Sequence, residues 1–270
     1  MVHSFRLKEL WPWLLGAGLV VVILGLQQRQ LSLVKVPEAP SLEALQLRDE
    51  RERTQLHLLR QMPTFGYDNM IANWTFLNFL QYFGDVDVRA VSGYQLSPDF
   101  FKVIVTHDSL FLIPYGYLTT SVSMYAALPK TSISLLERGL EHMAPGLPPY
   151  SFYLWRFKGI EELLFLGDGR AAQQSFSKAA EWARQVDSPE ALAMADISQQ
   201  TANFLNEDID SLVAQINAWT LVLVRAVDDD TRGRAVAEIE ALGGTVISDG
   251  RGRVVVRHPP SPERTQDDSQ

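Results

Sequence analysis

Residues 159–180 read Gly159-Ile-Glu-Glu-Leu-Leu-Phe-Leu-Gly-Asp-Gly-Arg-Ala-Ala-Gln-Gln-Ser-Phe-Ser-Lys-Ala-Ala180. An apolar run ends at Gly167-Asp168-Gly169, and a stretch rich in alanine follows. Glycine and aspartate favour the left-handed and capping conformations that stop one helix and start the next. Ala172, Phe176, Ala179 and Ala180 return at helical spacing, small residues alternating with one large ring. The stretch predicts two helices, Tyr150–Leu166 and Arg170–Gln185, joined by a tight turn.

Upstream, a helix over Pro114–Ala127, a turn at Pro129 and a helix over Lys130–Met143 have the same form. Setting the two second helices side by side pairs Ser132-Ile133 with Ala171-Ala172, Leu136 with Phe176 and Leu140 with Ala180, at an offset of about forty residues. A stack of such pairs is an α-solenoid. Downstream, Pro189–Asn203 with Asp208–Val227 predicts a looser pair. In the latter, Trp219-Thr-Leu-Val-Leu-Val has strand composition, but its acidic flanks suit a helix.

The segment Gly159–Ala180 resembles a tetratricopeptide repeat. Gly159 lies on the first helix, and Ala172, Phe176 and Ala179 on the second match that family's small–aromatic–small spacing. The first helix is one residue out of register, Leu163 replaces the usual aromatic, and the closing proline is displaced to Pro189. The 110–143 unit matches more loosely through Leu136 and Gly139. The resemblance covers about residues 95–225. It implies a protein-binding groove lined by the first helices of the pairs, which here offer Tyr115, Tyr117, Tyr153, Arg156 and Lys158.

Ahead of the repeats, Asn69–Phe83 predicts an aromatic helix. Its stripe is Met70, Trp74, Leu77 and Gln81, flanked by Asn73, Leu80 and Gly84, and the apolar residues spill past one face, which predicts burial on two sides. With its Gly66-Tyr67-Asp68-Asn69 entry and Gln81-to-Asp85 exit, it is similar to membrane-anchored repeat proteins of photosynthetic bacteria, whose role is scaffolding or assembly. Ser97-Pro98 predicts the capped start of a further helix to about Asp108.

The first 35 residues form a membrane segment. Leu10–Leu26 is seventeen residues without a charge, with Trp11 and Trp13 at one edge, where indole rings favour the bilayer interface. About twenty residues span a ~30 Å hydrocarbon core. Cleavage as a signal peptide competes, but Gly25-Leu-Gln-Gln-Arg29 is a poor small-x-small site. Trp11, Trp13, Leu14 and Leu26 are therefore read as anchor residues. The short basic N-region predicts that the bulk of the chain lies on the non-cytoplasmic side, which the photosynthetic resemblance would make a thylakoid.

The remaining organisation follows from composition. Residues 36–63 are a Pro-rich linker and a polar spacer helix capped by Ser41. Residues 64–227 hold the repeats. Asp228–Asp230 caps a helix over Thr231–Leu242. Thr245–Ser248 and Arg253–Arg257 alternate about Asp249-Gly-Arg-Gly252, which signals a β-hairpin within 228–258. Residues 259–270 have the composition of a disordered tail. The fold class is mainly α, with a small C-terminal hairpin.

Charge and chemistry narrow the function. The 270 residues carry a net charge of −8. Residues 1–35 hold four basic side chains against one acid, so the rest carries −11. Nucleic-acid binding is disfavoured. Cysteine is absent, which removes disulfides, thiolate metal sites and a cysteine nucleophile. His107-Asp108-Ser109 has triad residue types, but consecutive residues cannot form the relay. Asp85-Val-Asp87 and Asp228-Asp-Asp230 lack the remaining ligands of a calcium loop and suit caps. Glu161-Glu162 reads as a solvated helix flank. No catalytic, cofactor or metal residues are assigned. The expectation is a non-enzymatic scaffold with protein partners, or a structural subunit of a large membrane complex joined through residues 65–83 and Phe111-Leu112-Ile113.

Overall fold

In the computed structural model, the described residues are 16, 18–21, 23–25, 27, 41–206, 212–248 and 254–259. The chain divides into two compact units, Met1–Ala44 and Leu45–Gln270. In the first, the described positions between 16 and 27 are helical, with Leu19, Val20, Val21, Ile23 and Leu24 exposed. Trp11, Trp13, Leu14 and Leu26 lie outside the described residues, as do the linker before Ser41 and the tail after Pro259. Among the described residues, no helix is long and apolar enough to cross a membrane.

The elements in order are α1 (Leu42–Gln61), α2 (Asp68–Gly84), α3 (Val86–Ser92), α4 (Ser97–His107) and α5 (Leu112–Leu118). A first π-helical segment (Thr119–Tyr125) leads to α6 (Pro129–Leu140) and α7 (Phe152–Glu161). A second π-helical segment (Glu162–Leu166) precedes α8 (Gly169–Ala183), α9 (Pro189–Leu205), α10 (Leu212–Arg225) and α11 (Asp229–Ala241). Strands β1 (Thr245–Ser248) and β2 (Val254–Arg257) pair antiparallel, Thr245 opposite Arg257 and Ser248 opposite Val254. Among the described residues the protein is mainly helical with one small hairpin.

The polar helix α1 is not a free spacer. Leu45 and Leu56 are buried. Arg53 pairs with Asp99 at 3.2 Å, and Asp49 takes a 3.4 Å contact from the buried Arg89. Arg89 sits on α3, a helix absent from the sequence expectation, and its guanidinium lies 3.9 Å from the Tyr82 ring centroid. His107 fastens the far end of α1. Its Nε2 is 2.9 Å from the Leu59 carbonyl oxygen and its Nδ1 is 3.1 Å from Asp68 Oδ1. One imidazole thus joins the ends of α1 and α4 to the start of α2.

The aromatic helix α2 is buried on one side only. Ala72, Thr75, Phe76, Phe79 and Tyr82 face inward, and Phe79 packs against Phe100 and Phe101 of α4. Met70, Trp74 and Leu77 are exposed. The stripe expected to lead into the core is the outer face. Apolar residues surround this helix, so periodicity does not choose the face; packing against α4 does. Ser97 likewise does not cap α4. It is the first helical residue, its hydroxyl is buried without a partner among the described residues, and Leu96 occupies the cap position.

In the repeat region α8 packs on both α7 and α9. Helix α10, a helix rather than a strand, does not continue the series. Its main contacts are with α11 and the two π-helical segments rather than with α9. The expected third pair is therefore replaced by a chain that turns back. Asp228 caps α11, its carboxylate accepting from Thr231 N at 2.8 Å and Thr231 Oγ1 at 2.9 Å. Arg234 of α11 donates to the Ala126 carbonyl at 2.8 Å, and Leu45–Gln270 forms one compact unit with no boundary at 228.

Both helical pairs approach closely through a glycine. A Cβ on Gly159 of α7 would lie 3.1 Å from the Phe176 ring of α8. A Cβ on Gly139 of α6 would overlap the Tyr115 hydroxyl of α5. The glycine is on the first helix in one pair and on the second in the other.

Candidate functional site

Two consecutive glutamates, Glu161 at the end of α7 and Glu162 at the start of the second π-helical segment, are both buried. Glu161 is 1% exposed and Glu162 4%, which corrects the expectation of a solvated flank. The correction has a local cause. Leu154, Phe157, Glu161 and Phe165 recur at helical spacing, so Glu161 interrupts an apolar stripe. That stripe was legible as a signal for a buried acid.

The two carboxyls diverge because successive helical residues point about 100° apart. Glu161 turns to the preceding helical pair. Its Oε2 is 2.5 Å from Ser123 Oγ in the first π-helical segment, and its Oε1 is 3.0 Å from Ser132 Oγ on α6. Glu162 turns to α8, where Ser175 Oγ donates to it at 2.6 Å. Lys158 Nζ donates to Glu162 at 2.5 Å and lies 3.4 Å from Glu137. Burial pushes the Glu161 carboxyl up to about 8, against the lowering pull of its two serine partners. Burial thus favours the neutral form of Glu161, whose two oxygens face the Ser123 and Ser132 hydroxyls. Glu162 is instead compensated by a cation.

Both segments that follow these contacts have wide turns. Ala126 N–H donates to Ser121 C=O and Gly167 N–H to Glu162 C=O, each five residues back. Such π-turns accommodate a side chain that the ordinary ladder would crowd and are frequent at functional sites. Between them and α10 is an apolar cavity of about 370 Å³, with Thr120, Phe157, Ile160, Glu161 and Leu221 among its walls. A second, polar cleft of about 550 Å³ lies between α7 and α8, bounded by Trp155, Lys158, Glu162, Lys178 and Glu181.

The five residues expected to line a partner groove are dispersed. Tyr115 is fully buried and donates to the Ser109 carbonyl at 2.9 Å; burial raises its phenol above the usual range. Arg156 donates to Ser198 Oγ on α9 at 2.7 Å, and burial lowers its pKa. Tyr153 reaches Glu190 of α9 at 3.2 Å; its phenol is raised by burial first and that carboxylate second. Lys158 belongs to the Glu162 pair. Four of the five thus hold helices together. Tyr117 is the most open of the five, at 39% exposed, and its ring also packs edge-on against Phe76 and Phe79.

An open apolar surface lies on α2 and the turn before it. Phe65 is 88% exposed and Trp74 60%, with Tyr67, Met70 and Leu77 more than half exposed. Tyr67, Met70, Trp74 and Leu77 follow at intervals of three, four and three, which places them along one face.

No family model, curated protein or solved structure matches this chain.

Proposed function

We propose that this protein is a non-enzymatic docking scaffold: tetratricopeptide-like helical pairs on an N-terminal membrane anchor, which assemble or hold a membrane protein complex. The anchor reading rests on Leu10–Leu26, and the photosynthetic setting rests on the resemblance of the aromatic helix. The observation that carries the docking role is the exposed face of α2. Contiguous apolar faces of this kind are uncommon on monomers and mark interaction sites. Aromatic and methionine side chains are the enriched contact residues of interfaces. The internal engagement of Tyr115, Tyr153, Arg156 and Lys158 moves the partner surface from the first helices of the repeats to α2 and Tyr117.

The test is affinity purification of the full chain from its native membranes, with Trp74→Glu combined with Leu77→Glu. Both positions are open, so the melting temperature is expected to stay within a degree or two while a reproducible co-purifying protein is lost. The same proteins recovered with the double variant would overturn the assignment.

A structural-subunit reading has its own support. Phe204, Val213, Val224 and Ile113 are also exposed, on α9, α10 and α5, so apolar side chains are open on several elements. A subunit enclosed by neighbours predicts constant stoichiometry in one complex on native gel electrophoresis. A scaffold predicts a substoichiometric association that changes with assembly state.

A further inference from the structure

The two π-helical segments converge on one place. Thr119, Thr120 and Met124 of the first and Leu164 and Phe165 of the second line the apolar cavity of about 370 Å³, which α10 borders with Ala218 and Leu221. Turns of this kind make up well under 1% of residues in globular proteins and are frequent at functional sites. The two among the described residues come from different helical pairs and share one cavity, which sets it apart from a packing flaw. An empty void also forfeits contacts along its whole lining and is costly to keep. The wall is open to a ligand. Met124, Phe157, Leu164 and Phe165 are half-buried, and Ile160 and Leu221, at 38% and 42% exposed, lie at its rim. Its chemistry is uniform. Glu161 is the one ionisable side chain on the described wall. Both its oxygens are engaged by Ser123 and Ser132, which are not among the wall residues, and burial favours its neutral form. The described wall thus offers no cation to an anion and no open carboxylate to an ammonium. A charged group placed inside would lose its hydration without compensation.

We propose that this cavity binds one uncharged aliphatic chain of about ten carbons, with its polar end left at the rim. At ~30 Å³ for each water-sized group, the volume holds about twelve non-hydrogen atoms, and it is at the lower end for small-molecule pockets. Cavities lined by leucine, isoleucine and phenylalanine stay dry and take up apolar molecules, and the flexible Met124 adapts to the shape of a chain. An anchor at Leu10–Leu26 would hold the domain beside a bilayer, where such chains abound. The source of the chain rests on that reading; the binding of a neutral chain does not. The cavity shares no residue with the α2 face, so this proposal stands or falls independently of the docking role.

The test uses the full chain in lipid nanodiscs and 1-decanol carrying a photoactivatable diazirine at its far end, with the crosslinks mapped by mass spectrometry. Crosslinks are expected within residues 119–124, 157–165 and 218–221. They should saturate and be displaced by unlabelled 1-decanol, but not by tetraethylene glycol, a polar chain of similar length. Ala218→Leu fills the cavity and Leu221→Lys sets a charge at its rim. Each, at wild-type melting temperature, is expected to lower the crosslinking about tenfold. A phosphatidylcholine with the diazirine at the end of one acyl chain is the second probe. Crosslinks from it at the same residues make a bilayer lipid the source, and crosslinks from decanol alone make it a free chain. No saturable crosslink at these residues from either probe overturns the proposal. So does equal displacement by tetraethylene glycol, or crosslinking undiminished in Ala218→Leu and Leu221→Lys alike.

Discussion

Ser123 Oγ and Glu161 Oε2 are 2.5 Å apart, and through that contact one carboxyl joins the wide turn of the first helical pair to the wide turn of the second. The join is made by an acid that burial holds at a pKa of about 8. The folded protein therefore binds this proton more tightly than the unfolded chain, whose carboxyl titrates near 4.5. Its stabilising contribution is fully present below about pH 4.5 and is lost as pH rises through about 8. The difference amounts to about 5 kcal/mol at most.

The first prediction concerns that titration. Glu161→Gln keeps the shape and a donor but has no proton to lose. Its melting temperature should exceed that of the wild type at alkaline pH, and its stability should vary less between mildly acidic and alkaline buffers. Parallel pH profiles of the two proteins by denaturant titration would refute this.

The second concerns Lys158. Its side chain is 13% exposed, and its ammonium compensates the carboxylate of a Glu162 side chain that is 5% exposed. Removing one member of a buried pair leaves an unpaired charge and costs about 3–5 kcal/mol. Lys158→Met should lower stability by about that amount, and Lys158→Met with Glu162→Gln should recover much of it. A double-mutant cycle reads the coupling. A Lys158→Met protein of wild-type stability that loses only partner binding would restore the groove assignment.

The third is steric. Gly139→Ala adds a methyl where the Tyr115 hydroxyl already lies. Alanine's better helix propensity, worth up to about 1 kcal/mol, is outweighed by overpacking at about 1–3 kcal/mol. A net loss of about 1–2 kcal/mol in chemical denaturation is expected. Gly116→Ala is the control. A Cβ there meets nothing within 4 Å, so that variant should be neutral or more stable.

The fourth concerns His107. Its ring nitrogens hold the Leu59 carbonyl and Asp68, and the hydrogen bond from His107 is the main reason the Asp68 carboxyl lies below its usual range. His107→Phe removes both contacts from a buried ring, at a cost of about 1–3 kcal/mol. Hydrogen exchange should quicken across the end of α1 and the start of α2 and stay unchanged in α8 and α9. Uniform acceleration would show that the histidine supports the whole fold rather than this junction.

Much of the helical plan was legible because its signals are local. Gly167-Asp168 stops one helix and caps the next, and Asp168 Oδ1 does accept from Ala171 N at 2.8 Å. Pro189 follows a serine cap, Ser188, which accepts from Ala191 N at 3.1 Å. Asp228 caps α11. The C-terminal hairpin was readable from alternation about a glycine-rich turn, and β1 has the expected bounds. These devices act within three or four residues, so the order of residues is enough to specify them.

What the order of residues left open depends on distant partners. Met70, Trp74 and Leu77 are as apolar as Phe76 and Phe79, and only Phe100 and Phe101, more than twenty residues on, decide which side of α2 is inside. Glu161 and Lys158 resemble surface charges until serines from two other helices and a second glutamate surround them. Trp219 is buried because α10 turns back onto the π-helical segments and α11. The sequence alone determined the helices, their caps and the charge of the chain, because backbone hydrogen bonding and capping are satisfied locally. The tertiary structure alone decided which faces are buried, which charges are compensated and where open donors and apolar surface remain, because desolvation is a property of everything packed around a group.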